Sequence, residues 1–293
     1  VALLIGRWFS KDKFPVLFGL TQCSGNISVV AANMFLPEII SLVHGWRHAS
    51  WYLSLLGFAL AIGLFLIVKT RPKAIQVTST QVAQSTVSIS QLFKILLTNQ
   101  QFWIVTLFAG LLLGSLFNLG ANWDISFQKS FSGNTLSSAA LINSIMFLGL
   151  AVGNPLMGIL SGKLKSRRKL LVTGSLSAAI LLGILLFAPQ LNHAAAMVLY
   201  FGFGLCCSTA VLSYTVIMEV LPAEVQGVGI GVCNTVVYLS GALMSLVISS
   251  VLQIEIKFVQ NILFSDRVAL SLFFFAIVQA FTISLFIKES YKS

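Results

Sequence analysis

The sequence has very little charge. Only 9% of its 293 residues are charged, whereas 57% are hydrophobic, and the mean hydropathy is +0.94. Soluble domains carry about 25% charged residues. This shortage excludes an ordinary water-soluble globular domain, because the chain has too few charged side chains to cover an aqueous surface.

Residues that carry catalytic or metal chemistry are also scarce. The four cysteines lie within apolar runs and lack metal-site spacing, as expected of small buried hydrophobes; they are Cys23, Cys206, Cys207 and Cys233. The three histidines fall in predicted loops, and neither a P-loop nor a zinc motif is present. We therefore expect no enzyme, no metal site, no cofactor and no ATP-driven pump.

What the sequence does contain is eight long apolar runs. They cover residues 14–43, 51–68, 102–122, 139–160, 170–187, 194–218, 228–252 and 268–287. A lipid core needs roughly 17–25 helical residues to be crossed, and the backbone in lipid must be satisfied within each segment. The prediction is an all-α, polytopic helical membrane protein with eight spans.

The basic residues are unevenly divided between the loops. If successive loops alternate sides, 14 of the 18 Lys and Arg residues share one side, and the other four are Arg47, Lys129, Lys257 and Arg267. This is the positive-inside bias, which predicts a multi-pass inner-membrane protein with both termini in the cytoplasm. The net charge of +10 is then a topology signal, and we expect no nucleic-acid partner.

Three parts follow one another along the chain. Residues 1–70 hold two predicted spans, 71–100 form a polar cytoplasmic linker, and 101–293 hold six spans. Within the linker, Ser90 is predicted to cap a short amphipathic helix. Its apolar side would carry Leu92, Phe93, Leu96 and Leu97.

Four loop motifs resemble those of the major facilitator superfamily of secondary transporters. They are RWF at 7–9, GWR at 45–47, GILSGKLKSRR at 158–168 and EVLPAEVQGVGIG at 219–231. The resemblance implies twelve helices in two halves, of which the fifth to twelfth are present here and the first four are missing. It also implies gating residues in the loop motifs, namely Gly158, Lys163, Arg167, Arg168 and Glu219.

The third motif departs from the family pattern. Gly162 stands where the family has an aspartate, and Lys165 stands where it has a glycine. The resemblance implies that this aspartate contacts a helix N-terminus, so that contact is not expected here. A pair between Glu219 and either Arg167 or Arg168 is still expected.

Polar side chains recur at helical spacing inside the spans, where polar groups usually face a cavity or another helix. Ser115, Asn118 and Asn122 form one stripe, and Asn234, Tyr238, Gly241 and Ser245 form another. Transporters bind solutes near the membrane midplane. The predicted site for a small polar organic solute is Gln22, Asn26, Asn118, Asn122, Asn143, Asn234 and Tyr238.

Two other interpretations stay open at this point. The amides and hydroxyls can bond helix to helix without any ligand. The chain can also be a truncated remnant or a membrane scaffold that transports nothing. An upstream reading frame for four more spans would favour transport by alternating access, and a stop codon there would favour the remnant.

Overall fold

The structure is a computed structural model. It describes residues 1–10, 13–67, 89–188, 191–258 and 262–291. The described residues form helices without any strand. The α-helices, numbered in chain order, are α1 (Ala2–Trp8), α2 (Phe14–Leu42), α3 (Trp46–Ile67), α4 (Ile89–Thr98), α5 (Gln100–Asn118), α6 (Asp124–Ser132), α7 (Leu136–Lys163), α8 (Arg168–Phe187), α9 (His193–Cys207), α10 (Val211–Val220), α11 (Gln226–Phe258) and α12 (Ile262–Ser284). A π-helical segment, Leu119–Trp123, joins α5 to α6, and a 3-10 turn, Ser208–Ala210, joins α9 to α10.

Seven stretches of these helices are long and apolar enough to cross a membrane. They are Phe14–Leu42, Trp46–Ile67, Gln100–Ser130, Leu136–Lys163, Arg168–Phe187, His193–Val220 and Gln226–Gln253. A further apolar stretch, Leu270–Ser284, is shorter. The predicted all-α bundle of eight spans is therefore confirmed, apart from the reduced length of the last described span.

Two predicted spans differ in detail from the observed helices. The run predicted at 102–122 continues through the π-helical segment into α6, so the helical stretch reaches Ser130. The run predicted at 194–218 is interrupted by the 3-10 turn Ser208–Ala210. Hydropathy alone does not predict these two segments, because α-helical, π-helical and 3-10 geometries are compatible with the same apolar sequence.

The six C-terminal spans, residues 100–284, form the packed core, which we call the C-terminal bundle. Within it α5 packs on α11 and α12, α7 packs on α9, and α8 packs on α9 and α12. Aromatic side chains fill the contacts: Phe102, Phe108, Phe203 and Phe273 are almost completely buried. The α2 helix lies along α7, whereas α3 exposes nearly all of its side chains except Ala49.

The two ends of the C-terminal bundle are chemically different. At one end, which we call the basic end, Arg168 donates to the carbonyl of Leu285 at 2.8 Å, and Gln101 donates to that of Phe286 at 3.2 Å. At the opposite end, the hydroxyl of Ser138 lies 3.2 Å from Nδ1 of His193. These contacts hold loops that are distant in sequence together at each end.

Glycines allow α2 to approach α7 backbone to backbone. A Cβ atom at Gly19 would lie 2.5 Å from the carbonyl oxygen of Asn154, and one at Gly158 would lie 2.7 Å from that of Pro15. Close approach through small residues is how helices associate in lipid, where apolar burial gives little driving force. Gly158, predicted as a gating residue of a loop motif, therefore lies inside α7 and in this helix contact.

The short amphipathic helix of the linker is present as α4, Ile89–Thr98. Leu96 is buried, but Phe93 and Leu97 are exposed, so the predicted apolar side is only partly covered by protein. Ser90 lies inside the helix and not before its first residue, which corrects the predicted cap. Most of the predicted linker, residues 68–88, and the side chain of Leu92 lie outside the described residues.

The α2–α7 contact predicts opposite effects for two glycines of the same helix. Gly19→Ala places a methyl group against the backbone of Asn154, and overpacking of this kind costs about 1–3 kcal/mol. Gly25→Ala is the matched control, because a Cβ there meets nothing within 4 Å and alanine favours the helix by up to ~1 kcal/mol. Thermal unfolding in detergent should show a lower midpoint for Gly19→Ala only; equal midpoints would contradict the contact.

Candidate functional site

A polar groove runs between α5 and α11 in the C-terminal bundle. The two helices come close because Gly114 packs directly against Ser240 and the Val237 carbonyl, and because Ser240 donates to the Gly110 carbonyl at 2.6 Å. Beyond this contact the groove widens into an open cavity of about 300 Å³. Its lining includes Phe117, Asn118, Asn122, Tyr238, Gly241 and Ser245.

Asn118 is the centre of the hydrogen bonds that close the floor of this groove. Its Nδ2 donates to the Gly241 carbonyl at 2.7 Å. Its Oδ1 accepts from Nδ2 of Asn122 at 2.6 Å and from the hydroxyl of Ser245 at 2.8 Å. The same hydroxyl accepts from the indole nitrogen of Trp123 at 3.3 Å. Asn118 is buried and its oxygen is engaged twice, so it joins α5 to α11.

Asn122 and Tyr238 are the groove residues with unused polar groups. Both are exposed, and among the described residues neither Oδ1 of Asn122 nor the Tyr238 hydroxyl has a hydrogen-bond partner. The ring of Tyr238 stacks on that of Phe117, with 6.4 Å between centroids. The described lining carries no charged side chain. The groove therefore offers an amide oxygen, a hydroxyl and an aromatic face.

A second polar contact lies one turn along α11, toward α2. The hydroxyl of Tyr214 donates to Oδ1 of Asn234 at 2.6 Å, and the Tyr214 ring lies 4.9 Å from that of Phe18. Gln22 follows Phe18 by one turn of α2 and is half-buried. This row of side chains connects the first helices of the chain to the C-terminal bundle.

Four predicted site residues do not line the cavity, namely Gln22, Asn26, Asn143 and Asn234. Gln22 and Asn234 belong to the row of side chains between α2 and α11. Asn26 is buried within the packing of α2 and donates to the carbonyl of Gln22 in its own helix at 2.9 Å. Asn143 donates to the carbonyl of Gly120 at 2.8 Å. In an α-helix the Gly120 carbonyl would accept from the N–H of Asp124. Here that N–H donates to the carbonyl of Leu119 instead, as in a π-helix. In the described structure Asn143 secures the π-helical segment.

At the basic end, Arg167 lies in a buried cluster. It forms an ion pair with Glu219 at 3.2 Å, donates to the hydroxyl of Ser161, and places its guanidinium 4.9 Å from the Tyr291 ring centre. Ser290 donates to the other oxygen of Glu219 at 2.5 Å. Of the two expected partners of Glu219, the structure brings Arg167 to it; Arg168 bonds to the Leu285 carbonyl.

Glu289 caps the first turn of α8. Its carboxylate accepts from the Ser166 hydroxyl, from the N–H of Arg167 at 2.8 Å and from the N–H of Arg168 at 3.3 Å. The N–H of Tyr291 also donates to it, at 3.0 Å. Burial raises the pKa of Glu289, but these hydrogen bonds outweigh burial and lower it. An anion at a helix N-terminus is further favoured by the helix dipole.

The loop between α7 and α8 contains the two departures from the family motif, Gly162 and Lys165. Lys165, at the position of the motif glycine, has a φ of +48°. This left-handed backbone favours glycine, so a lysine there is strained. Lys163 is exposed at the end of α7, and Gly162 has nothing within 4 Å of its Cβ position.

Several polar contacts of the structure were not predicted from the sequence. Tyr214 was not singled out, although a tyrosine inside an apolar span is a signal that its hydroxyl needs a partner. Glu289 was overlooked among the lysines of the C-terminal segment, and no local pattern marks it as a cap. Tyr200 and the burial of Asp124 were missed because Asp124 lies just beyond the apolar run predicted at 102–122.

A family model described as Major Facilitator Superfamily matches residues 1–245. The chain belongs to the major facilitator superfamily. It is also similar to a solved structure of a major facilitator superfamily transporter, FucP, in the outward conformation. The TM-score is 0.67 at 14% identity, and the alignment covers 98% of this chain and 70% of FucP. At this identity the likeness shows the fold alone. No curated protein matches the chain in sequence.

Membership of the major facilitator superfamily confirms the family predicted from the loop motifs and makes this chain a multi-pass membrane protein of a transporter family. The roles of individual side chains do not follow from it. Those roles rest on the groove between α5 and α11 and on the cluster around Arg167.

The cap formed by Glu289 predicts a pH-dependent contribution to stability. Because its pKa is lowered on folding, the ionised carboxylate stabilises the folded protein above the ordinary glutamate pKa of 4.5. That contribution is lost as the pH falls through the lowered value. Glu289→Gln should therefore lower the unfolding midpoint at neutral pH, and the difference from wild type should shrink in acid. Glu38→Gln, which alters an exposed carboxylate, is the control; a pH-independent difference would contradict the cap.

Proposed function

We propose that this protein is a secondary transporter of a small, neutral, polar organic solute. The observation that carries the proposal is the open cavity between α5 and α11, which offers unused polar groups at Asn122 and Tyr238. Its described lining has no charged side chain, which favours a solute without phosphate or carboxylate groups. The stacked rings of Phe117 and Tyr238 suit a solute with one apolar face.

Alternating access would let the cavity open to each side of the membrane in turn. The positive-inside rule would place the basic end, and with it both termini, in the cytoplasm of a cell with an inner membrane. The cluster of Arg167 and Glu219 then lies at the cytoplasmic end. A small cavity of about 70 Å³ beside Glu219 is lined by Gly6 and Phe14 from the first two helices. Glu219 therefore stands where the two parts of the chain meet, a position suited to a gate.

The groove would need a second wall to enclose a solute. Asn122, Asn234 and Tyr238 are exposed, and so is most of α3. In the twelve-helix architecture that wall is supplied by helices of the other half. We infer that further helices of this kind face α5 and α11 in the working transporter. Residues 1–70 would then be the last spans of its N-terminal half, residues 71–100 its linker, and residues 101–293 its C-terminal half.

Uptake into liposomes tests this function, with the protein reconstituted in a form that includes the helices of the second wall. The panel should contain neutral solutes with hydroxyl or amide groups, such as hexoses, polyols and nucleosides, beside dicarboxylates and sugar phosphates. We expect protein-dependent uptake of a neutral member and none of the charged ones. Asn122→Ala and Tyr238→Phe should each raise the half-saturating concentration by about 3- to 10-fold, since a lost hydrogen bond is worth roughly 0.5–1.5 kcal/mol. Joint replacement of Asn118, Asn122 and Asn234 by Ala should abolish uptake.

Matched controls keep this test specific. Ser250→Ala alters an exposed hydroxyl of α11 that bonds within its own helix, and Tyr52→Phe alters an exposed tyrosine of α3. Both should transport as wild type does. Unchanged uptake in Asn122→Ala and Tyr238→Phe would reject the site. Absence of uptake for every solute would favour the scaffold hypothesis.

A further inference from the structure

Asp124 is a buried carboxylate at the start of α6. It is 0% exposed and is held by two side-chain donors. The Tyr200 hydroxyl of α9 donates to Oδ1, and Nε2 of Gln128 donates to Oδ2 at 2.7 Å. Nδ2 of Asn134 in turn donates to Oε1 of Gln128 at 3.4 Å. The carboxylate therefore sits in a polar network between three parts of the bundle.

No positive charge balances Asp124 within the described part of the chain. No Lys, Arg or His nitrogen there lies within 4.0 Å of its oxygens; the ion pair found there joins Arg167 to Glu219. An ionised carboxylate that is buried and unpaired is costly, and it becomes neutral by taking up a proton. The network tolerates both states, because Tyr200 can donate to the carboxylate or accept from the carboxylic acid.

A small cavity leads from this network toward the opposite end of the bundle. Its volume is about 50 Å³, and Gln128, Asn134, His193 and Tyr200 are among its lining residues. One or two waters fit such a volume, since a water occupies about 30 Å³. Protons can therefore reach the two partners of Asp124 without crossing the bundle.

Other titratable groups near Asp124 lie on α6, α9 and α12. They are Lys129 on α6, His193 and Tyr200 on α9, and Arg267 on α12, while the side chain of Asp266 is outside the described residues. Tyr200 contacts the carboxylate directly, and His193 is separated from it by the cavity. The described part of α7 has no titratable side chain in the half that faces α6.

Asp124 also lies next to the proposed solute groove. The π-helical segment Leu119–Trp123 separates it from Asn118. Trp123 donates to Ser245, which donates to Asn118. A change in the carboxyl group can therefore shift the end of the π-helical segment and reach the floor of the groove through these two bonds.

We propose that Asp124 is a proton-binding site of this transporter, loaded from the end opposite to the basic end through the cavity beside His193. The site rests on the proposed transport function for its purpose, and its ligand is the proton itself. One proton adds to the carboxylate to give the carboxylic acid, and the same proton leaves on the return. With the topology proposed above, loading takes place from the outer face.

Infrared difference spectra of the full chain in liposomes, recorded between two pH values, detect this proton directly. Uptake of a proton converts carboxylate bands into a carbonyl band of a buried carboxylic acid. We expect that band in wild type, its loss in Asp124→Asn, and its persistence in Glu38→Gln, whose altered carboxylate is exposed. Tyr200→Phe should keep the band but shift its frequency, because a hydrogen bond to the carboxyl group is removed.

Three outcomes would overturn the proposal. The same band in Asp124→Asn would assign it to another carboxyl group. Absence of any pH-dependent carbonyl band while the protein stays folded would show that Asp124 does not titrate. An unshifted band in Tyr200→Phe would separate the titrating group from this network, and this variant also serves if Asp124→Asn fails to fold.

The loading route is tested separately. Ala196 lines the cavity and is half-buried, so Ala196→Trp should fill it and slow the appearance of the band after a pH jump by at least several-fold. An unchanged rate would overturn the route. Because the infrared measurement requires no solute, its outcome is independent of the uptake assay, and the failure of one proposal is distinguishable from that of the other.

Discussion

Close contact between helix backbones is the constraint on which this structure depends. In lipid, helices gain little from burying apolar side chains against each other, so van der Waals contact and interhelical hydrogen bonds hold them together. Gly19 and Gly158 bring α2 against α7, and Gly114 brings α5 against α11. At the contact between α5 and α11, hydrogen bonds from Ser240 and Asn118 also cross between the helices. A packed contact and a polar groove thus lie side by side.

Asn118 shows why the two interpretations of the polar stripes need not compete. Its side chain joins α5 to α11, as expected of an interhelical hydrogen bond. By doing so it fixes Asn122 at the edge of the cavity and leaves the amide oxygen of Asn122 unused. A polar side chain that joins two helices, such as Asn118, can thus hold in place a second side chain, such as Asn122, whose remaining hydrogen-bonding group is available to a solute. The same division holds at Tyr214, which engages Oδ1 of Asn234 and leaves its amide nitrogen available.

Much of the fold follows from the sequence, since hydropathy and the order of the loop motifs are strong signals over long segments. The spans, the family and the approach of Asn118 to Asn122 were predicted in this way, the last because i and i+4 positions share a helix face. The π-helical segment could not be predicted, because one extra residue in a turn leaves the hydropathy unchanged. The extra residue changes the helix face on which the following residues lie, and Asp124, the first of them, is buried. Glu289 caps a helix that begins 121 residues earlier in the chain, a contact that only the tertiary fold creates.

The central claim is that these helices cross lipid, with the loops of the basic end on one face and the α2–α3 turn on the other. Arg47→Cys and Lys163→Cys each introduce a cysteine at an exposed position. Labelling of each cysteine by an impermeant thiol reagent, added to intact cells, shows which side of the membrane it faces. The unmodified chain is the control for labelling of the protein's own cysteines. The account predicts that position 47 is labelled from outside and that position 163 is labelled only after the membrane is permeabilised. Labelling of both positions in intact cells would contradict it.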